Sequence, residues 1–524
     1  MTGTLALARV ALRLDRVRLV VWFLAIVGMS YASAAGVQSL YDDPRELVEY
    51  AQTVESSSAI VAFTGPTYDI DTPGGRIAYE TSSQLAIAIA LFALLSMTRH
   101  ARAEEESGRA ELLRAAPTGR HALLGSALLL TVGTSVAIGV GMSGALAATD
   151  LPVAGSIAMG ALVAGVGIAF AAIGAVAVQV TEHARAASGI ALAALGVAFV
   201  TRAIGDTSAP ALRWLSPIGI AQHTRAFAGE RAWPLLVLVA GSAALVAIAV
   251  RLSSTRDLGA GLVPTRLGPP RAVPSLGTPF GLALRLQRGV LAGWSAGLFL
   301  FGASMGAIAE GAEDLIGDNE EMREIMAQAG MTNIVDSFLA TMLLMLALTT
   351  CGFALQSAMR VRTEETSNRT ELVLASGVSR RSWLGANGAV TVLGTIVVLG
   401  AAGLGTGVAH AIQSADAGQV PRLVGAALAQ APAVLLLAAV AVLLFGATPR
   451  WLQAAWAPLA LAAVVGVLGD LLQVPSWVAA LSPFDHLAQV PAESLAVAPF
   501  VVLALLAGLC WGVGISAHDR RDVA

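Results

Sequence analysis

The densest run of ionisable side chains is the peptide RAEEESGRAELLRAAPTGR at residues 102–120, where Glu104, Glu105, Glu106 and Glu111 are interleaved with Arg102, Arg109, Arg114 and Arg120. Carboxylates and guanidiniums at this density can serve catalysis, metal binding or recognition of a partner. The first two lack their other components. The seven histidines show no ligand spacing, Cys351 and Cys510 lie inside apolar runs, and neither a nucleophile elbow nor a nucleic-acid-binding stripe is present. What remains is ion pairing that supports a helix and charge complementarity toward a partner protein.

The peptide occurs twice. RTEETSNRTELVLASGVSR at 362–380 aligns with it without gaps, pairing Arg102 with Arg362, Glu104 with Glu364, Glu105 with Glu365, Ser107 with Ser367, Arg109 with Arg369 and Glu111 with Glu371. Leu112 with Leu372, Ala115 with Ala375 and Arg120 with Arg380 complete the identities. Glu105 and Arg109, like Glu365 and Arg369, stand four apart in the glutamate-first order that supports a helix, so each copy is expected to be a short helix ended by Pro117 or Gly377. Topology alone needs arginines near the membrane, not matched glutamates beside them. Two copies therefore point to two docking sites for two copies of one soluble partner.

The elements that hold these peptides are apolar. The 524 residues are 56% hydrophobic and 13% charged with a mean hydropathy of +0.73, beyond the range of a water-soluble globule. At about 20 residues per crossing, spans are expected at 19–36, 81–98, 122–147, 153–180, 188–204 and 234–252, then at 290–309, 336–358, 383–411, 423–448, 452–471 and 495–517. The fold class is all-α: a polytopic membrane protein of about twelve transmembrane helices arranged as two parallel, pseudo-symmetric six-helix halves. The halves are residues 1–252 and 282–524, joined by a proline-bearing linker at 253–281. LRLDR at 12–16 recurs as LRLQR at 284–288, and WLSPIGIAQ at 214–222 is echoed by LSPFDHLAQ at 481–489. An even number of spans gives both halves one orientation, with a pathway expected between them. Most of the 32 arginines then fall on one side, which places both termini in the cytoplasm of a bacterial inner membrane. The signal-like start, with Ala32, Ser33 and Ala34, is expected to be a retained span, because its mid-chain counterpart is one.

All 32 basic residues are arginine, and a chain without lysine cannot build the P-loop that grips nucleotide phosphates. The G-x-G-x-x-G at Gly139, Gly141 and Gly144 sits within an apolar run and is expected to serve close helix packing.

The charged peptides, with TRHARAEEESGRAELLRAAPTGRHALLG and MRVRTEETSNRTELVLASGVSRRSWLG as their wider context, resemble the coupling segments of actinobacterial ABC exporter permeases, in particular the fused-half, polyketide-antibiotic (tetronasin-like) exporters. The resemblance extends over essentially the whole chain. It implies a non-catalytic permease partnered by two copies of a separate ATP-binding cassette subunit. This chain would hold no cofactor, with ATP and Mg in the partner. On that resemblance Glu104, Glu105, Arg109, Glu111, Glu364, Glu365, Arg369 and Glu371 would meet the ATPases. Arg9, Arg13, Arg16, Arg285 and Arg288 would lie on connecting helices at the membrane surface. The cargo would be a hydrophobic small molecule, with membrane lipid as surroundings and no nucleic acid.

Between the second and fifth spans of each half, Gln84, Phe92, Met97, Phe338, Met342, Met345, Phe353 and Gln356 are candidate pathway residues, since thioethers and aromatics suit varied apolar cargo. A rival reading is an ion-driven secondary multidrug carrier, which also uses two six-span halves. Such a carrier would show intramembrane acids, whereas Glu80, Asp336 and Asp470 all fall near outer ends of spans. The role of the long outer segment 37–80 is not legible from its residues.

Overall fold

Apolar runs in hydrocarbon must satisfy every backbone polar group internally, and helices are how a single segment does so. A computed structural model describes residues 2–40, 48, 51, 54, 61–62, 64–111, 117–257, 259–264, 268, 270–309, 334–468 and 475–521, and the statements below concern these residues. No strand occurs among them, and eleven helices are long and apolar enough to cross a membrane.

The first unit, Met1–Gly268, holds α1 (Thr4–Leu40), α2 (Pro73–Met97), α3 (Ala122–Ala147), α4 (Val153–Val180), α5 (Ala184–Thr207) and α6 (Trp233–Thr255). The second, Pro269–Ala524, holds α7 (Pro279–Ile308), α8 (Ile334–Thr366), α9 (Arg380–Gln413), α10 (Gln419–Ala447), α11 (Trp456–Leu468) and α12 (Val497–Arg520). The break falls inside the expected linker 253–281. The span expected at 452–471 begins as a 3-10 turn over Pro449–Ala455 before α11, and residues 469–474 lie outside the described residues. α11 therefore does not reach crossing length within them.

The starts of several helices follow from local chemistry. Thr72 accepts a hydrogen bond from the Gly75 amide at 3.1 Å ahead of Pro73, Thr278 does the same for Gly281 ahead of Pro279, and Ser379 accepts from Ser382 at 3.2 Å. Each leaves one fewer orphaned amide at a helix start. The basic helix expected to precede the first span is continuous with it: nothing in LRLDRVRLVV breaks a helix, and α1 runs through all of it. α7 likewise carries Arg285 and Arg288 on the same rod as its apolar part.

Within each unit the same helix pairs make the main contacts: first with third, third with fourth, second with fourth, and fourth with sixth. The fourth helix is the centre. The most apolar windows of α4 and α10 are 72% and 67% buried, against 17% for α6 and α12, so the sixth helix of each unit turns most of its apolar surface to lipid. Small residues permit the tight crossings. A side chain at Gly139 would meet the Gly160 carbonyl at 2.5 Å, and one at Gly405 would meet the Phe299 carbonyl at 2.0 Å. The glycine motif in α3 thus packs helices, although nothing lies within 4 Å of where a Gly144 side chain would stand.

Candidate functional site

The charged peptide is not a helix set apart from the spans. α2 continues through a π-helical turn, Thr98–Ala103, into Glu104–Glu106, and α8 continues unbroken to Thr366. The chain then turns through left-handed backbone at Gly108 (φ 75°) and at its repeat counterpart Asn368 (φ 56°), two residue types that tolerate this conformation. Beyond the turn the second copy forms a helix over Arg369–Leu374, while residues 112–116 of the first copy, including Leu112 and Leu113, lie outside the described residues. Glu105 and Arg109 consequently straddle a turn and do not pair. Arg109 instead reaches Glu104 at 3.3 Å, and Arg369 approaches Glu364 at 3.8 Å.

Glu105 and Glu365 point inward, into ion clusters that match between the units. Arg256 is the first residue beyond α6. It grips Glu105 with two parallel bonds, Nη1 to Oε2 at 2.9 Å and Nη2 to Oε1 at 2.8 Å, and its Nε donates to Gln179 Oε1 at 2.7 Å. Arg102, 1% exposed, also donates to Glu105 and to the carbonyls of Gly259 and Ala260. Arg521, the first residue beyond α12, takes the corresponding place. It bonds Glu365 and donates to the Phe445 carbonyl at 3.1 Å, while Arg362 bonds Glu365 at 2.9 Å. Arg120 and Arg380, already paired in the repeat, donate to the backbone carbonyls of Arg256 and Arg521. Each cluster therefore staples the end of the second helix of its unit to the end of the sixth. Two-pronged arginine–carboxylate contacts fix geometry as well as charge. The cost of removing one partner is that of a stranded buried ion, about 3–5 kcal/mol.

Opposite these staples, the outward side of each peptide is open. Arg109 and Glu111 are exposed in the first copy, and Arg369 and Glu371 in the second, beside Leu372 at 75% exposure, whereas Glu106, also exposed, accepts from the Ala184 amide at the start of α5 at 2.9 Å. Glu104 is half-buried, and Glu364 is half-buried and bound to Arg360 at 2.9 Å.

Arg9, Arg13, Arg16, Arg285 and Arg288 are all exposed on α1 and α7. The inward side of the same stretches carries Asp15 and Gln287, which sequence reading missed. Asp15 bonds Arg99 at 3.0 Å and His100 at 2.8 Å across to the π-helical turn; Gln287 accepts from Ser357 at 2.6 Å. Asp15 carried a signal, an acid in mid-register of a basic amphipathic helix, but its partners lie 84 and 85 residues on.

The pathway candidates divide. Met97 is fully buried and Phe92 and Phe353 nearly so; Phe92 packs on Trp22 (centroids 5.9 Å apart) and Phe353 edge-on against Trp294 (6.4 Å). Gln84, Phe338, Met342 and Met345 are half-buried, and Gln356 is exposed and accepts from Trp294 Nε1 at 2.9 Å. In the first unit a cavity of about 650 Å³ lies among α1, α2 and the start of α5, and Phe92 is the candidate that lines it.

A second polar cluster sits at the far end of the first unit. Arg202 is fully buried on α5, bonded to Asp206 at 3.3 Å and to the Ala62 carbonyl at 2.8 Å, and Arg213 reaches Asp206 at 2.8 Å. Gln222 donates to Ser82 and Ser83, tying the SPIGIAQ segment to α2, where Ser216 caps the short helix Pro217–Gln222. Burial, with Arg213, Arg225 and Arg231 nearby, holds the His223 imidazole below its usual pKa, so this loop histidine is neutral at physiological pH. The buried Arg202–Asp206 pair was missed because the expected span 188–204 ended between its two members, leaving Asp206 outside it.

Buried helices in a repeated packing plan, with ion clusters at one end of each unit, define an all-α polytopic membrane protein. The profile of the family described as "Multidrug efflux system permease Rv1217c, C-terminal domain" matches residues 2–252 and 276–518. The chain is 39% identical over 525 residues to the "Multidrug efflux system permease protein Rv1217c" of Mycobacterium tuberculosis (strain ATCC 25618 / H37Rv), covering 100% of this chain and 95% of that relative. The chain belongs to this family of multidrug efflux permeases.

Proposed function

We propose that this chain is the permease subunit of an ATP-driven ABC exporter of the tetronasin-like kind. It moves hydrophobic small molecules out of the cell with two copies of a separate ATP-binding subunit that carry ATP and Mg. The observation that carries this reading is the duplicated peptide, whose inward glutamate is stapled to the sixth helix while its outward tip presents charge and, in the second copy, the exposed Leu372. A tip built this way suits a protein partner, and the relative's name as a multidrug efflux permease supports the direction and class of cargo.

In this account the partners close on ATP and displace the two tips. The Glu105–Arg256 and Glu365–Arg521 staples make the second and sixth helices of each unit move together. The permease is the bistable element, shifted between inward-open and outward-open states by nucleotide and reset by hydrolysis. Arg9, Arg13 and Arg16, with Arg285 and Arg288, rest among lipid headgroups and anchor α1 and α7 at the inner surface.

The topology is testable with single cysteines. In a chain whose Cys351 and Cys510 are replaced by serine, Ser107→Cys and Ser367→Cys, both exposed positions, are expected to react with a membrane-impermeant maleimide in inverted vesicles and not in intact cells. Labelling of either from outside intact cells would overturn the proposal.

A further inference from the structure

The cavity among α1, α2 and α5 has an uneven lining. It is a half-open groove in which we take Arg18, Arg99 and Arg185 as the rim and Trp22, Phe92 and Leu95, the last 45% exposed, as the apolar floor. Trp22 is one helical turn from Arg18 on α1, and Phe92 two turns from Arg99 on α2, so rim and floor are separated by roughly 6–10 Å along the helices. Asp15, the one acid in the lining, is already engaged by Arg99 and His100. Arg18 and Arg185 are exposed and have no ionic or hydrogen-bonding side-chain partner among the described residues. The rim is therefore net positive over an apolar pocket, and about 650 Å³ lies within the roughly 300–1,000 Å³ of pockets for drug-sized ligands.

The duplication supplies an internal control. At the register that pairs Trp22 with Trp294, Arg18 corresponds to Val290, and at the register that pairs Arg102 with Arg362, Arg99 corresponds to Met359. The second unit keeps the same helix packing with Val290 in place of Arg18, so the fold does not require that cation; Arg99 differs, because its change to Met359 accompanies the change of its partner Asp15 to Gln287.

We propose that this cavity binds an acidic amphiphile, a molecule with one carboxylate or phosphate group held by Arg18, Arg99 and Arg185 and an apolar body against Trp22 and Phe92. As a statement about cargo this rests on the permease reading; as a statement about binding it does not. A free acid and an anionic phospholipid share this chemistry, and the test separates them.

The purified full-length chain in phosphatidylcholine nanodiscs is irradiated with a photoreactive long-chain carboxylic acid or with its alcohol analogue, and labelled peptides are mapped. The acid is expected to label the α1 and α2 segments lining the cavity. The R18Q/R185Q double variant should lower that labelling at least about ten-fold, with alcohol labelling unchanged as a control for intact folding. Equal labelling by acid and alcohol, or acid labelling unaffected by the variant, overturns the proposal and leaves a lipid-facing groove. When the acid labels, loss of its signal on adding phosphatidylglycerol to the nanodiscs identifies an anionic lipid as the occupant; persistence identifies a free acid. No ATPase or transport enters the assay, so its failure leaves the exporter reading standing, and failure of ATP-driven export leaves the binding result standing.

Discussion

Exchanging Glu105 and Glu365 together for glutamine is expected to be among the most damaging conservative changes available in this chain. Each carboxylate neutralises two arginines, Arg102 with Arg256 or Arg362 with Arg521, and its side chain is only 10% or 2% exposed. Without it, two guanidiniums face each other: in the second unit Arg362 is 39% and Arg521 19% exposed and solvent screens them, whereas in the first both are buried, at a cost of about 3–5 kcal/mol. For units of about this size that is a fall in melting temperature of roughly 6–20 °C. Arg256→Gln alone should cost less in the first unit, because Glu105 keeps its pair with Arg102. The E105Q/R256Q pair should cost less than the sum of its single changes, with a coupling of up to about 3 kcal/mol. Thermal unfolding of the purified variants measures this directly. Melting that is unchanged in E105Q/E365Q would show that the staples hold nothing.

The second large effect is expected at the tips and should spare the fold. Arg109→Glu with Glu111→Arg, combined with Arg369→Glu and Glu371→Arg, reverses the pattern of charge on exposed side chains, at the loss of the solvent-screened Arg109–Glu104 and Arg369–Glu364 pairs. Surface changes of this kind normally alter stability by no more than about 0.5 kcal/mol each. Loss of a few well-made contacts to a partner would nevertheless weaken docking by at least about thirty-fold. ATP-driven efflux and copurification of the ATP-binding subunit should therefore collapse while the melting temperature holds. The staple and tip variants together separate two roles that share one peptide. Efflux at the normal rate in the tip variant would remove the tips from any part in docking.

Much of the helical plan was legible because it rests on local composition. Apolar runs and the repeated arginines and glutamates are all visible within short windows. The destination of Glu105 and Glu365 was not. Their partners Arg256 and Arg521 lie 151 and 156 residues away, and each looks like one more topology-setting arginine after an apolar run. Repetition was read as a shared docking surface, yet Arg102, Glu105 and Arg120 recur as Arg362, Glu365 and Arg380 while making the same internal contacts. An identical residue in two halves can mark a common interior as readily as a common partner. The helical pairing expected from the four-residue spacing failed at Gly108 and Asn368, where a left-handed turn intervenes. Among the pathway candidates, Met97 and Phe353 were chosen for side-chain type, and type alone does not distinguish a lining residue from a buried one.

If the proposed function holds, the chain moves cargo only when a separate ATPase pulls on its charged peptides. The most direct test is transport of a fluorescent apolar compound in vesicles containing the purified chain, with and without the ATP-binding subunit. The account predicts accumulation only when the partner, ATP and Mg are all present, and none from the chain alone under an imposed proton or sodium gradient. Accumulation driven by such a gradient in the absence of the partner would contradict it and establish an ion-driven carrier instead.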